Sequence, residues 1–150
     1  MRTLMKSTGP FIVGFLVMSL LTLCSQEVNT DAKKATIQAV IETQIQAMNE
    51  MNYDMQADIW AHTPYIERWG KTGWEAISDH YQNIFSDESG FEVIEFKVSN
   101  FDIHVNGTFA SVFHDEHLEY FVNGKKVVNN ERTHKYVEKV DGQWKVIALF

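Results

Sequence analysis

Cysteine is nearly absent, since the 150 residues hold one, Cys24. From residue 25 onward the chain therefore has no disulfide, no thiolate nucleophile and no cysteine-ligated metal, and packing must supply its stability. Basic charge is also short. Thirteen Lys and Arg against twenty Asp and Glu leave a formal net charge of −7. No basic cluster offsets that excess, so nucleic acid and anionic membrane surfaces are excluded as partners on electrostatic grounds. A small molecule or another protein remains. The two prolines lie at element boundaries, and no internal repeat, low-complexity tract or Pro/Gly linker divides the chain.

A long apolar run is missing too. Arg2 and Lys6 precede an uncharged stretch of thirteen residues, Phe11 to Leu23, whereas a membrane-spanning helix needs roughly 20. This pattern reads as a signal peptide over residues 1–24, with one domain over 25–150 and export to the periplasm or cell envelope. Cys24, in Leu21-Thr22-Leu23-Cys24-Ser25, resembles a lipoprotein processing site, although Leu23 is larger than the residue usual there. Lipid attachment at Cys24 and simple cleavage nearby both stay open, and a lipid anchor is the only membrane contact expected. About 125 residues then remain, enough for one core.

In that remainder Ile37, Val40, Ile41, Ile45 and Met48 recur at helical spacing from Asp31 onward, opposite Lys33, Lys34, Gln38 and Glu42. A short second helix is expected over Asp54–Trp60, which Pro64 keeps from extending, and Tyr65 to Trp69 alternates like a strand. Thr72-Gly73-Trp74-Glu75 has the form of a capping box opening a third helix, with Trp74, Ile77, Tyr81, Ile84 and Phe85 on its apolar face. Beyond Gly90 the pattern is strand-like, punctuated by Asn106-Gly107, Asn123-Gly124 and Asp141-Gly142, dipeptides suited to tight hairpins. Helices first and a four-strand meander last describe an α+β layer.

Four features in this order, namely Met48-Asn49, Trp60-Ala61, Gly73-Trp74-Glu75-Ala76-Ile77 and Asp141-Gly142-Gln143-Trp144-Lys145-Val146, resemble nuclear transport factor 2-like proteins of the SnoaL and ketosteroid isomerase type. The resemblance spans nearly all of residues 25–150. It implies a cone: about three helices packed on a strongly curved, mainly antiparallel sheet enclosing a small-molecule pocket. It does not settle function, because such folds carry enzymes and pure binders alike.

Two-residue loops at Asn123-Gly124 and Asp141-Gly142 place His114 opposite Thr133, and Phe150 opposite Thr133 on its other side. One face then carries Ala110, Val112, His114, Glu116, Thr133, Val137, Trp144, Val146, Ala148 and Phe150, and the resemblance assigns it to the interior. Lys135 sits awkwardly on this face, and a bulge after Val140 would instead bring His134 and Tyr136 beside Trp144. The other face, with Phe109, Phe113, His134, Tyr136, Ile147 and Leu149, is also apolar, so a covering partner, most simply a homodimer, is expected.

The isomerases of this superfamily use a tyrosine on the first helix, an aspartate on the first strand and a protonated aspartic acid deep in the sheet. The positions that align here are Gln44, Arg68 and Thr133, none of which abstracts a proton in that way. His114-Asp115-Glu116-His117 reads as a metal cluster only as text, because strand geometry points His114 and His117 to opposite faces. No metal and no cofactor are expected. Trp60, Trp74 and Tyr81 suit the core, His62 a helix end and His80 an exposed position. The candidate ligand-binding set is Tyr65, Arg68, Trp69, His114, Glu116 and Thr133. Binding of a small hydrophobic or weakly polar molecule is the leading reading. A cyclase, isomerase or dehydratase centred on His114 is the alternative, and a ligand-free dimerisation module is a third.

Overall fold

The computed structural model describes the backbone from Val13 and side chains from Thr30 to Phe150. Residues 1–12 and the side chain of Cys24 lie outside this description, and with them the expectations of a leader and of lipid attachment. The chain forms two compact units, Met1–Ala32 and Lys33–Phe150. In the first, the backbone is helical from Val13 onward, and all that follows concerns the second. No helix among the described residues is long and apolar enough to cross a membrane.

Helix α1 is assigned over Val13–Asn49, starting well before the expected Asp31. Its stripe behaves as the spacing predicts, with Ile37 and Ile41 fully buried and Ile45 and Met48 nearly so. Helix α2, Tyr53–Ile59, is capped by Asn52, whose side chain accepts from the Met55 amide at 3.0 Å. Strand β1 shrinks to Glu67–Arg68 and pairs with β2, Lys71–Thr72. The longer strand expected over Tyr65–Trp69 is cut short because Trp69 and Gly70 both have positive φ (52° and 69°) and turn the chain back on itself. Helix α3 spans Trp74–Ile84, and the capping box does not form. Thr72 is engaged in the β1–β2 ladder, so the cap falls on Gly73, at φ 86° with no side-chain hydrogen bond.

Four long strands complete the sheet: β3 Phe91–Asn106, β4 Phe109–Val122, β5 Lys125–Val140 and β6 Gln143–Leu149. The order across the six-stranded sheet is β2-β1-β6-β5-β4-β3, antiparallel except where β1 meets β6. Asn123-Gly124 and Asp141-Gly142 form the expected two-residue turns, with all four residues at positive φ. In the first hairpin Asn106 still pairs with Phe109, so the loop is Gly107-Thr108.

His114 pairs with Thr133 as expected. The β5–β6 register holds through Val137–Val146 and then slips by one, because Ile147 is bulged between Val146 and Ala148. Phe150 therefore lies opposite His134 rather than Thr133, exchanging two backbone hydrogen bonds with it, and is 64% exposed. Ala148 likewise passes to the register of Tyr136, and Leu149 to that of Lys135. The remaining inward positions stand: Ala110, Val112, His114, Thr133, Val137, Trp144 and Val146 are buried among Ile37, Ile41, Trp60, Ile66, Ile77 and Tyr81. Lys135, awkward in a hydrophobic pattern, is buried there with them.

Candidate functional site

Arg68, at the end of β1, carries its guanidinium carbon 3.8 Å from the ring centroid of Trp69, 5.5 Å from that of Tyr81 and 5.8 Å from that of Trp60. Its Nε and Nη1 are closed off from water and meet no hydrogen-bond acceptor among the described residues. Burial lowers its pKa, against weaker support from Tyr81, Glu116 and Glu131. Arg68 itself is half-buried, and its charge is within electrostatic reach of Glu116 on β4 and Glu131 on β5.

The Tyr81 hydroxyl is also buried without a hydrogen bond. Burial raises its pKa and the Arg68 charge opposes the rise, while the polar ends of Trp60, Gln56 and Gln44 lie close enough to lower it further. Gln44 leads across the cone, because its Oε1 accepts from Lys135 Nζ at 2.8 Å. The same ammonium stands 3.0 Å from Glu116 Oε1, and that oxygen is 3.7 Å from His114 Nε2. Thr133 lies across the strand pair from His114 and is nearly fully buried. Elements α1, α2, α3, β1, β4 and β5 thus deliver one contiguous polar interior.

Desolvation dominates the titration behaviour here. Burial, reinforced by the Lys135 charge, pushes the His114 pKa down to about 4, with Glu116 opposing. Burial pushes Lys135 down to about 8 in spite of the Glu116 carboxylate. At neutral pH the ring is therefore uncharged and the lysine is an ammonium. Both ring nitrogens of His114, Thr133 Oγ1, Tyr81 Oη, Trp60 Nε1 and both amide atoms of Gln56 lack a hydrogen-bond partner among the described residues. Buried polar atoms are rarely left so in a finished core.

No family model and no curated protein matches the sequence. Solved structures do. A candidate dehydratase of the nuclear transport factor 2-like family from Streptomyces avermitilis superposes with a TM-score of 0.66 at 13% identity, over 79% of this chain and 94% of that one. The chain has the nuclear transport factor 2-like fold. A candidate scytalone dehydratase from Novosphingobium aromaticivorans gives a TM-score of 0.63 at 18% identity, over 80% and 83% of the two chains. A candidate calcium/calmodulin-dependent kinase II association domain from Exiguobacterium sibiricum gives 0.62 at 16%, over 79% and 90%. At these identities the likeness is one of fold alone, and the neighbours' descriptions range from dehydration to assembly.

Within this nuclear transport factor 2-like cone, His114 and Thr133 are buried, Glu116 stands beside His114, and Arg68 is half-buried against Trp69 and Tyr81. Trp69, 45% exposed, covers Arg68 at the rim. Tyr65 does not join them. It is 55% exposed, and its hydroxyl donates to Glu138 at 2.6 Å away from the polar cluster. His80, expected to be exposed, is half-buried edge-on against Trp69 at 4.3 Å. His62 stacks on Trp74 at 4.2 Å, next to the Ala57 carbonyl that closes α2. Among the described residues no group of three or more potential metal ligands assembles. His117 bonds Asn130 outside the cone, while His114 faces in. Sequence reasoning missed Lys135, Gln44 and Gln56 as site residues. The usable signal was Lys135 itself, a charged residue on a strand face otherwise filled by Thr133, Val137 and Val112.

Proposed function

We propose that the cone binds a small organic molecule whose polar groups complete the partnerless donors and acceptors inside it. The observation that carries this reading is the set of buried polar atoms on Arg68, His114 and Thr133 that no protein group matches, beside Tyr81, whose hydroxyl has only the polar ends of Gln56, Gln44 and Trp60 near it. Orphaned buried groups cost about 1–3 kcal/mol each, so a fold that retains several together is supported by something that satisfies them. The interior is more polar than the hydrophobic or weakly polar ligand expected from sequence, and we extend the ligand accordingly.

Binding is favoured over acid-base chemistry by His114 itself. A ring with a pKa of about 4 is a weak proton acceptor at neutral pH, and the lysine beside it is committed to Gln44 and Glu116. The dehydratase descriptions of two structural neighbours keep a His114-centred enzyme as the second reading.

The reading includes a leader removed near Cys24, residence in the cell envelope and a homodimer through the convex sheet face. Intact mass of the exported form tests the first, and loss of Phe11 to Leu23 is the expected result. Native mass spectrometry of protein isolated from its own cells tests the binding. A retained molecule of a few hundred daltons, released on denaturation, is expected. An apo mass from every preparation, with no added compound raising the melting temperature, would contradict it.

A further inference from the structure

Resting on the cone-binding reading, a count of charge in the interior narrows the ligand. Two cations stand there, Lys135, fully buried, and Arg68, half-buried with its Nε and Nη1 closed off from water, against one carboxylate, Glu116, which is 9% exposed and stands 3.0 Å from the lysine. Glu131 is the other acid felt by both cations, and it is solvent-exposed, where water screens it. His114 is neutral. One positive charge is left over, and it sits on Arg68, whose guanidinium has aromatic faces around it rather than an acid. A partly desolvated guanidinium without an acceptor is expensive to keep, and its planar fork of donors matches a carboxylate.

The surroundings set the rest of the molecule. Trp60 and Tyr81 are fully buried and flat, and Trp69 covers the guanidinium at the rim, so what accompanies the acid group must be apolar or aromatic. The exterior carries the chain's negative excess, which disfavours polyanions while a single small anion is drawn to the interior charge. A dianionic phosphate would replace one unbalanced charge with another.

We infer that the cone's ligand is a small monocarboxylic acid with a flat or apolar body, its carboxylate seated on Arg68 and its body against the aromatic walls. The full chain is titrated with benzoate, cinnamate and octanoate, with their uncharged primary amides and with phenyl phosphate, followed by tryptophan fluorescence. The acids are expected to bind at least tenfold more tightly than the matching amides and than phenyl phosphate. Arg68→Gln should bring the acid-to-amide ratio close to one. Arg68→Lys, which keeps the charge, should retain part of the preference. Without any ligand Arg68→Gln should melt no lower than the parent, because it removes a partly desolvated charge. Amides or phosphate binding as well as the acids, or a ratio unmoved by Arg68→Gln, overturns the acid inference and leaves cone binding intact. Failure of acids, amides and phosphate alike overturns both.

Discussion

His114 and Lys135 show what burial does to single residues. The ring is depressed to about 4 and fully buried. Between pH 6.5 and about 4 the unfolded chain takes up a proton on this ring that the folded chain does not. Stability from this group is thus complete above pH 6.5 and falls on acidification through that window, by about 3 kcal/mol in total. Replacing His114 with Leu should flatten the acid limb of a melting-temperature profile between pH 6.5 and 4, and an unchanged limb would place its origin elsewhere. The Lys135–Glu116 pair behaves differently. Lys135→Met leaves a buried carboxylate uncompensated and is expected to cost about 3–5 kcal/mol, whereas Lys135→Met with Glu116→Leu should recover most of it. Urea denaturation of the single and double variants measures the difference. A double variant as unstable as the single would show that the pair is not the unit.

At the scale of elements, the helices were legible because apolar spacing records burial directly, as Ile37, Ile41 and Ile45 do in α1 and Ile77 and Tyr81 in α3. The turn at Asn123-Gly124 fixed the β4–β5 register, and through it the meeting of His114 with Thr133. The Ile147 bulge was not legible. It inserts one residue into an otherwise regular apolar alternation, and both Ile147 and Leu149 pack on the core, so composition does not reveal which is extra. The capping box failed for a related reason, since hairpin pairing took Thr72 before the helix could use it. Tertiary contacts that sequence spacing does not encode also matter here. Asn49, at the end of α1, uses its side-chain amide like a strand edge, donating to the Phe96 carbonyl at 2.9 Å and accepting from the Phe96 amide at 2.8 Å. Asn49→Ala should destabilise the fold by about 1–2 kcal/mol, read as a lower urea midpoint with an unchanged slope. No shift would mean water replaces both bonds at no cost.

For the whole molecule, the two faces of the sheet divide the labour. The concave side holds the polar interior. The convex side carries an aromatic row in which Phe113 stacks on His134 at 4.0 Å, His134 meets Tyr136 at 4.4 Å and Tyr136 meets Phe150 at 6.2 Å. Phe109, Tyr136 and Phe150 are exposed at 49%, 40% and 64%, more apolar ring surface on one face than a solvated sheet usually shows. If this face pairs two copies, light scattering should give a dimer at tens of micromolar and Phe113→Asp should shift it toward monomer. A monomeric parent would show that something else covers these rings.

The central claim, that the cone is a binding site rather than a core, is tested most directly by an experimental electron-density map of the protein as isolated. The account predicts density larger than water bounded by Arg68, Tyr81, His114 and Thr133, with atoms within hydrogen-bond distance of the groups that lack protein partners. Side chains closing on one another there, with every polar atom satisfied by protein and no space between them, would contradict it.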